Sequence, residues 1–327
     1  MPYSAQVTQR ARQQLAQRKA DRESQYNHNL QEAYIKVPRL REIDLQMRKT
    51  VILAAQTAFM KGEEGRQAME ECEKANLALQ AERQALVDAN FAPGYLDERP
   101  ICPHCGGSGY VGSRMCVCLQ ELCRQEQKKE LARLTTGQER FDAFRLDYYP
   151  TQIDPAYGAS PRQVMERVLQ ACRRYADTFD GTGKNLLFVG NTGLGKTYLS
   201  ACIADQVTDK GYSVVYESAP QLFEKLSRNQ FSPDENSRRE VADITGCDLL
   251  IIDDLGTEFT NNVTVAVLYS LLNERLLAGK SMVVSTNLNS DEIARWYSPQ
   301  IASRLQGNFK NLVFVGNDIR VLKNRGV

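Results

Sequence analysis

Residues 185–197 read Asn185-Leu-Leu-Phe-Val-Gly190-Asn-Thr-Gly-Leu-Gly-Lys-Thr197. An apolar run stops at Gly190. From there Gly190, Asn191, Thr192, Gly193, Leu194, Gly195, Lys196 and Thr197 match G-x-x-x-x-G-K-[ST] at every fixed position. Glycines let the backbone curl until successive N–H groups point inward at phosphate oxygens. The amphipathic stretch Tyr198 to Val207 then predicts a helix whose positive end faces the same anion. In this pattern Lys196 reaches the β- and γ-phosphates and the Thr197 hydroxyl ligates Mg²⁺. A strand, a phosphate loop and a helix in that order begin an α/β domain.

Four further β-rich runs follow the same logic: YSVVYES (212–218), DLLIIDD (248–254), SMVVSTN (281–287) and NLVFV (311–315). Helical patterns separate them. Strands alternating with helices predict a parallel sheet covered on both faces. The run Leu249–Asp254 places two acids at the sheet's C-terminal edge, beside the phosphate loop. Asp253 is the candidate to hold Mg²⁺, directly or through water, and Asp254 to orient or deprotonate the attacking water. The bland alternative for either acid is a cap on the following turn. Asn287, at the next strand end, is a candidate contact for the γ-phosphate or the water. Arg304 and Arg320 are candidates to meet spreading phosphate charge, with a surface salt bridge as the alternative for each.

Four of the nine cysteines fall within 17 residues as Cys102-x₂-Cys105, ten residues, Cys116-x-Cys118, with glycines between. Two thiolate pairs on tight turns can share one tetrahedral Zn²⁺, and four protein ligands leave no open position for catalysis. Cys123 is an alternative fourth ligand. His104 sits inside the first knuckle and is expected to point away. A redox pair or inert thiols are the other readings.

Residues 1–97 read as helices. Leu40, Ile43, Met47, Val51, Ala54 and Ala58 form one apolar stripe; Ala68, Cys72, Ala75, Leu79 and Leu86 form another beyond a turn at Lys61–Gly65. This predicts an antiparallel hairpin, either a small bundle or a partner-binding surface. The expected boundaries are 1–97 for the helical region, 98–135 for the zinc module and a charged helix from Leu119 to Leu134, and 136–327 for the α/β domain. The 327 residues carry a net charge of +1, which excludes a globally basic nucleic-acid coat. No 18-residue apolar run is present and the first 30 residues lack an apolar signal core, so a cytoplasmic protein with no membrane partner is expected.

Together these motifs, with the aromatic lead-in Phe141-Asp-Ala-Phe144…Tyr148-Tyr149, resemble the AAA+ ATPases of the DnaC/DnaI helicase-loader family, which includes IstB-type transposition helpers. The resemblance runs from about Phe141 onward. It implies a five-stranded parallel sheet of order 5-1-4-3-2, and no helical lid beyond Arg320. It implies Lys196 and Thr197 as Walker A, Asp253 and Asp254 as Walker B, Asn287 as sensor 1 and Arg320 as sensor 2. Arg304 would be offered to the neighbouring subunit's ATP, so self-association is implied. The implied cofactors are ATP/ADP, Mg²⁺ and Zn²⁺. The implied activity is slow ATP hydrolysis in the service of loading a hexameric replicative helicase onto single-stranded DNA. Ala219 to about Gly246 looks like the extra helix of this clade, with Lys225, Arg228, Arg238 and Arg239 for phosphates and Phe223 and Phe231 for bases. The alternatives are a transposition helper of the IstB kind and a nucleotide-gated adaptor with little hydrolysis.

Overall fold

The computed structural model describes residues 3–57, 63–134 and 139–324. Along the chain the helices are α1 (Ala5–Lys36), α2 (Pro38–Thr57), α3 (Glu63–Asn90), α4 (Val117–Leu134), α5 (Pro161–Asp177), α6 (Lys196–Asp209), α7 (Ala219–Phe231), α8 (Glu235–Gly246), α9 (Asn262–Leu277), α10 (Ser290–Trp296), α11 (Pro299–Asn308) and α12 (Ile319–Asn324). The strands are β1 (Tyr110–Val111), β2 (Arg114–Met115), β3 (Leu186–Val189), β4 (Val214–Ser218), β5 (Leu249–Leu255), β6 (Ser281–Thr286) and β7 (Lys310–Val313). They build two compact units: residues 1–12 with 117–327, and residues 13–116.

In the first unit β3 to β7 form one sheet, ordered β4-β5-β6-β3-β7 with every pairing parallel. Counting these five strands in chain order, this is the expected 5-1-4-3-2. The apolar runs are continuous because both faces of the sheet are covered. Phe188, Leu249, Ile251 and Val283 pack on one side with Met165 and Cys172 of α5 and Leu199 and Ile203 of α6. Leu187, Leu250, Ile252 and Val284 pack on the other with Leu222 of α7, Leu268 and Leu272 of α9 and Ile301 of α11. Ser160 starts α5 with a capping box to Gln163, and Pro161 stands in its first turn.

The units divide elsewhere than composition suggested. The charged helix α4, expected beside the zinc module, packs on the sheet domain. Leu131 joins the core, the Gln127 side-chain amide donates to the Thr208 hydroxyl at 2.7 Å, and Lys128 pairs with Asp209 at 2.6 Å. Residues 3–12 belong to the same unit: Tyr3 donates to the Gly211 carbonyl and the Ala5 N–H donates to the Asp243 carboxylate. Neither contact leaves a mark in composition, because a helix reads as charged whichever body its one apolar stripe meets. The segment between β4 and β5, expected to be longer than a minimal crossover, is two helices, α7 and α8.

In the second unit α2 and α3 pair as an antiparallel hairpin. Arg39 of α2 bonds Glu82 of α3 at 2.8 Å, and Arg83 of α3 bonds Asp44 of α2 at 2.8 Å. Of the described residues of the predicted α2 stripe only Leu40 and Ile43, at the base, are buried, while Cys72 of the α3 stripe is covered nearer the tip. Toward the tip Val51, Ile52 and Leu53 are exposed. The expected turn falls partly on residues 58–62, and Ala58 with it, outside the described residues. Two features were not expected: the second half of α1 joins the hairpin through Lys36 and Asn29, which donate to the Asn90 and Tyr95 carbonyls, and β1 and β2 pair as a small antiparallel hairpin within the cysteine loop. Among the described residues no helix is long and apolar enough to cross a membrane.

Candidate functional site

The phosphate loop leaves β3 and enters α6 at Gly195, whose φ of 91° fills the N-cap position in a left-handed conformation that a side chain strains. Gly193 also has positive φ, and a Cβ there would sit 1.9 Å from Asp318 Oδ1. The loop is thus packed against the turn that carries Arg320, whose own N–H donates to that same Asp318 oxygen at 2.8 Å. The cleft over the loop holds about 350 Å³ and is lined by Thr192 to Tyr198, Asp254, Ile319 and Arg320. Its remaining wall is Glu139, Ala143, Phe144, Arg145 and Tyr148, from the aromatic lead-in. Tyr149 supports that wall from beneath: it is buried, stacks on Phe144 at 5.9 Å, and its hydroxyl donates to the Leu194 carbonyl at 2.9 Å.

Lys196 is buried, and its ammonium donates to the Gly190 and Asn191 carbonyls at 2.6 and 2.8 Å. Burial pulls its pKa below the ordinary lysine value; Asp254 and Asp253 oppose that shift, and Arg320 adds to it. Asp253 is set back from the cleft. Its carboxylate accepts hydrogen bonds from Tyr216 at 2.8 Å and from Ser285. Asp254 lines the cleft, and among the described residues it is the only non-glycine with positive φ, at 57°. Its N–H donates to the Ser285 hydroxyl at 2.9 Å. Burial, then the neighbouring Asp253 charge, push its pKa above the usual carboxylate range.

The cleft therefore gathers residues 192–197, Asp254 and Arg320 in one place, with Gly190 and Asn191 behind Lys196. It does not gather two expected members, Asp253 and Asn287. Asp253 stands one layer back. Asn287 is exposed just beyond β6, beside Gly256. Arg304 lies on another surface, on α11, where its guanidinium sits 4.3 Å over the Tyr269 ring and donates to the Tyr269 hydroxyl at 2.8 Å. Sequence reasoning missed Ser285 and Tyr216 as the groups that hold the acid pair. It also missed Phe144, Arg145 and Tyr148 as a wall, although the density of aromatics in 141–149 was its signal. Of the basic residues on α7 and α8, Lys225 pairs with Glu217, Arg228 with Glu224 and Arg239 with Glu235. Phe223 is buried in the core and Phe231 is exposed.

The sulfurs of Cys102, Cys105, Cys116 and Cys118 all lie within 4.8 Å of one another. Cys102 and Cys116 are 3.8 Å apart, which is the edge of a tetrahedron whose metal–sulfur bonds are about 2.3 Å long. The Gly109 N–H donates to Cys105 Sγ at 3.3 Å, the kind of outer contact that orients a thiolate ligand. The set thus fits Zn²⁺. Cys123 is outside it, fully buried, with its thiol pushed up to about 11 by burial.

Residues 119–305 match the family model described as IstB-like ATP binding protein. The chain belongs to that family. Its relatives include proteins named as replicative helicase loaders. It is 22% identical over 147 residues to the replicative helicase loader DnaC of Escherichia coli strain K12, covering 45% of this chain and 60% of that protein. It is 26% identical over 175 residues to the replicative helicase loader DnaI of Bacillus subtilis strain 168, covering 53% and 54%. The chain thus spans little more than half the length of these relatives. A crystal structure of the DnaC helicase loader aligns with a TM-score of 0.46 at 20% identity, over 54% of this chain and 97% of that one. The five-stranded parallel sheet with its phosphate loop is a P-loop fold, and the matched family is described as ATP binding.

Asp254 yields a test that separates chemistry from stability. The folded state holds its proton more tightly than the unfolded chain does. This carboxyl therefore favours folding at low pH, and that contribution is lost as pH rises through its raised pKa. Asp254→Asn removes the charge and suits the left-handed backbone better than Asp. The expected result at neutral pH is a Tm raised by about 1–3 °C. Turnover of ATP should fall by about 10²-fold. In the parent protein turnover should rise with pH through the same titration. A lowered Tm with turnover intact would return Asp254 to the role of a turn cap.

Proposed function

We propose that this protein is an ATP-dependent loader that places a hexameric replicative DNA helicase on single-stranded DNA, ATP binding setting its grip and hydrolysis releasing it. The observation that carries the reading is the division of the nucleotide site. Lys196, Thr197, Asp254 and Arg320 share one cleft, while Arg304 is presented on a different surface. A site whose arginine points away from its own nucleotide is complete only when a second subunit brings that arginine in, so hydrolysis is slow until assembly.

In this reading Gly190 to Gly195 wrap the phosphates with backbone N–H groups, and Lys196 holds the β- and γ-oxygens. Thr197 and Asp253 would hold Mg²⁺. The ion supplies charge to offset that of the phosphates. Asp254 orients and deprotonates the attacking water, Asn287 and Arg320 report on the γ-phosphate, and the Zn²⁺ held by Cys102, Cys105, Cys116 and Cys118 maintains local fold. Support for a helicase partner is the likeness to proteins named as replicative helicase loaders, together with the exposed apolar residues Val51, Ile52 and Leu53 near the hairpin tip. Support for DNA is weaker in energy: the basic side chains of α7 and α8 are mostly engaged with glutamates, which phosphates would have to displace.

The experiment mixes the protein with the replicative helicase of its source cell, with and without ATP, beside Lys196→Ala, and reads mass by light scattering during size exclusion. A complex whose yield follows nucleotide supports the proposal. Absence of a complex in both nucleotide states, with ATP turnover still stimulated by single-stranded DNA, moves the function to transposition helpers. A complex with no turnover under any condition leaves a nucleotide-gated adaptor.

A further inference from the structure

Glu258 lies in the loop between β5 and α9, four residues beyond Asp254, and is only 8% exposed. A buried carboxylate is retained only where hydrogen bonds compensate its lost hydration. One oxygen accepts the Gly256 N–H at 2.9 Å, and the other accepts the Tyr297 hydroxyl. Tyr297 is buried as well, and burial and the Glu258 charge hold its hydroxyl far above the ordinary tyrosine range. It is therefore a permanent donor.

The two oxygens join two different parts of the machine. Gly256, with φ of 102°, belongs to the turn that carries Asp254 in its left-handed conformation, and the Thr257 N–H and hydroxyl close that turn on the Asp254 carbonyl at 3.2 and 2.9 Å. Tyr297 stands at the corner between α10 and α11, directly before Ser298, the N-cap of α11. Ile301, Ala302 and Leu305 of α11 are buried in the same core cluster as Leu255, Ile293 and Tyr297, so the corner and the helix form one packed body. That helix carries Arg304.

We propose that Glu258 and Tyr297 are positioning residues that lock the Asp254 turn to the helix presenting Arg304, so that the state of a subunit's own ATP site sets whether its Arg304 is offered to the neighbour. The proposal rests on the reading above, in which Arg304 completes the adjacent site. It adds a direction to that reading: a change at one γ-phosphate is passed through two hydrogen bonds to the next subunit.

Mixed-subunit turnover tests it on the full chain. Asp254→Asn protomers keep Lys196 and so bind ATP, turn it over about 10²-fold more slowly, and keep an intact Arg304 corner. Tyr297→Phe, which removes one hydroxyl, should by itself lower kcat at least about tenfold, against about 10³-fold for Arg304→Ala, with KM for ATP nearly unchanged. When mixed with Asp254→Asn, turnover per Tyr297→Phe site should recover, because the ATP-bound partner now supplies a well-placed arginine. Glu258→Gln, which keeps the side-chain volume, should behave in the same way and guards against a folding defect in the tyrosine variant. Rescue of Arg304→Ala without rescue of Tyr297→Phe and Glu258→Gln overturns the proposal and leaves the underlying reading standing. Failure to rescue Arg304→Ala sinks the shared-site reading itself. Full activity of Tyr297→Phe on its own also overturns the proposal.

Discussion

Replacing Lys196 by alanine is expected to abolish ATP turnover, by at least about 10²-fold, while leaving the fold of the apo protein intact. The two halves of that result have different physical origins. The ammonium is buried and, without nucleotide, is held by the Gly190 and Asn191 carbonyls rather than by a carboxylate. Its lowered pKa shows that burial outweighs the favourable pull of Asp254 and Asp253. Removing it therefore relieves a desolvation cost, and the Tm of the apo protein should hold or rise slightly. In the complex, the same buried amine faces phosphate charge, and a unit charge there is worth more than at a surface. Saturating nucleotide stabilises the parent by about 2.7 kcal/mol at 100 times Kd. For a domain of this size that is a Tm shift of about 5–10 °C, and Lys196→Ala should lose most of it. Differential scanning fluorimetry with and without Mg²⁺-ATP, read beside phosphate release, checks both. An unchanged nucleotide-induced shift would show that the cleft over Gly190–Thr197 is not where ATP binds.

Much of this site was legible because its chemistry is local in sequence. Gly190 to Thr197 must be contiguous, since the loop's own N–H groups do the binding, and the β5 run must end in acids for them to reach the loop. The same locality gave all five sheet strands within a residue or two, as continuous apolar runs on a sheet covered on both faces. What escaped was set by tertiary contact. Ser285 reads as an ordinary strand residue until β6 pairs with β5 and brings its hydroxyl to Asp253. Tyr216 reads as core until β4 places it on the other oxygen. Helix α4 read only as a charged connecting helix, and its buried Leu119, Leu122 and Leu131 do not in sequence say which body they meet. Arg304 was legible only through the resemblance: nothing in its local pattern distinguishes it from a surface arginine, and the structure holds it on Tyr269 and Asn273.

Zinc should be present at about one ion per chain, and its removal should unfold the loop around residues 102–116 while the nucleotide site survives. The regular structure of the loop is slight. β1 and β2 are two residues each, and the hydrogen bonds of the knuckle, Gly106 N–H to Cys102 O at 2.9 Å and Cys116 N–H to Gly109 O at 2.8 Å, are turns that an unfolded chain makes only transiently. Structural zinc binds zinc-finger peptides with an apparent free energy of about 10–16 kcal/mol, and in such modules that binding energy is folding energy. Cys102→Ser should therefore lose the metal and expose the loop to proteolysis, with nucleotide binding retained because residues 190–197 belong to the other compact unit. Cys123→Ser is the control that decides the ligand set. Its thiol lies apart from the cluster and its pKa is raised to about 11, so it is a poor source of thiolate and its loss should leave the zinc content unchanged. Cobalt substitution reads the number of sulfur ligands directly from the charge-transfer bands. Four titratable thiols in the loop of anaerobically purified protein, with no bound metal, would overturn the assignment and leave a close thiol cluster open to oxidation, in which Cys102 and Cys116, at 3.8 Å, are the pair positioned to form the first disulfide.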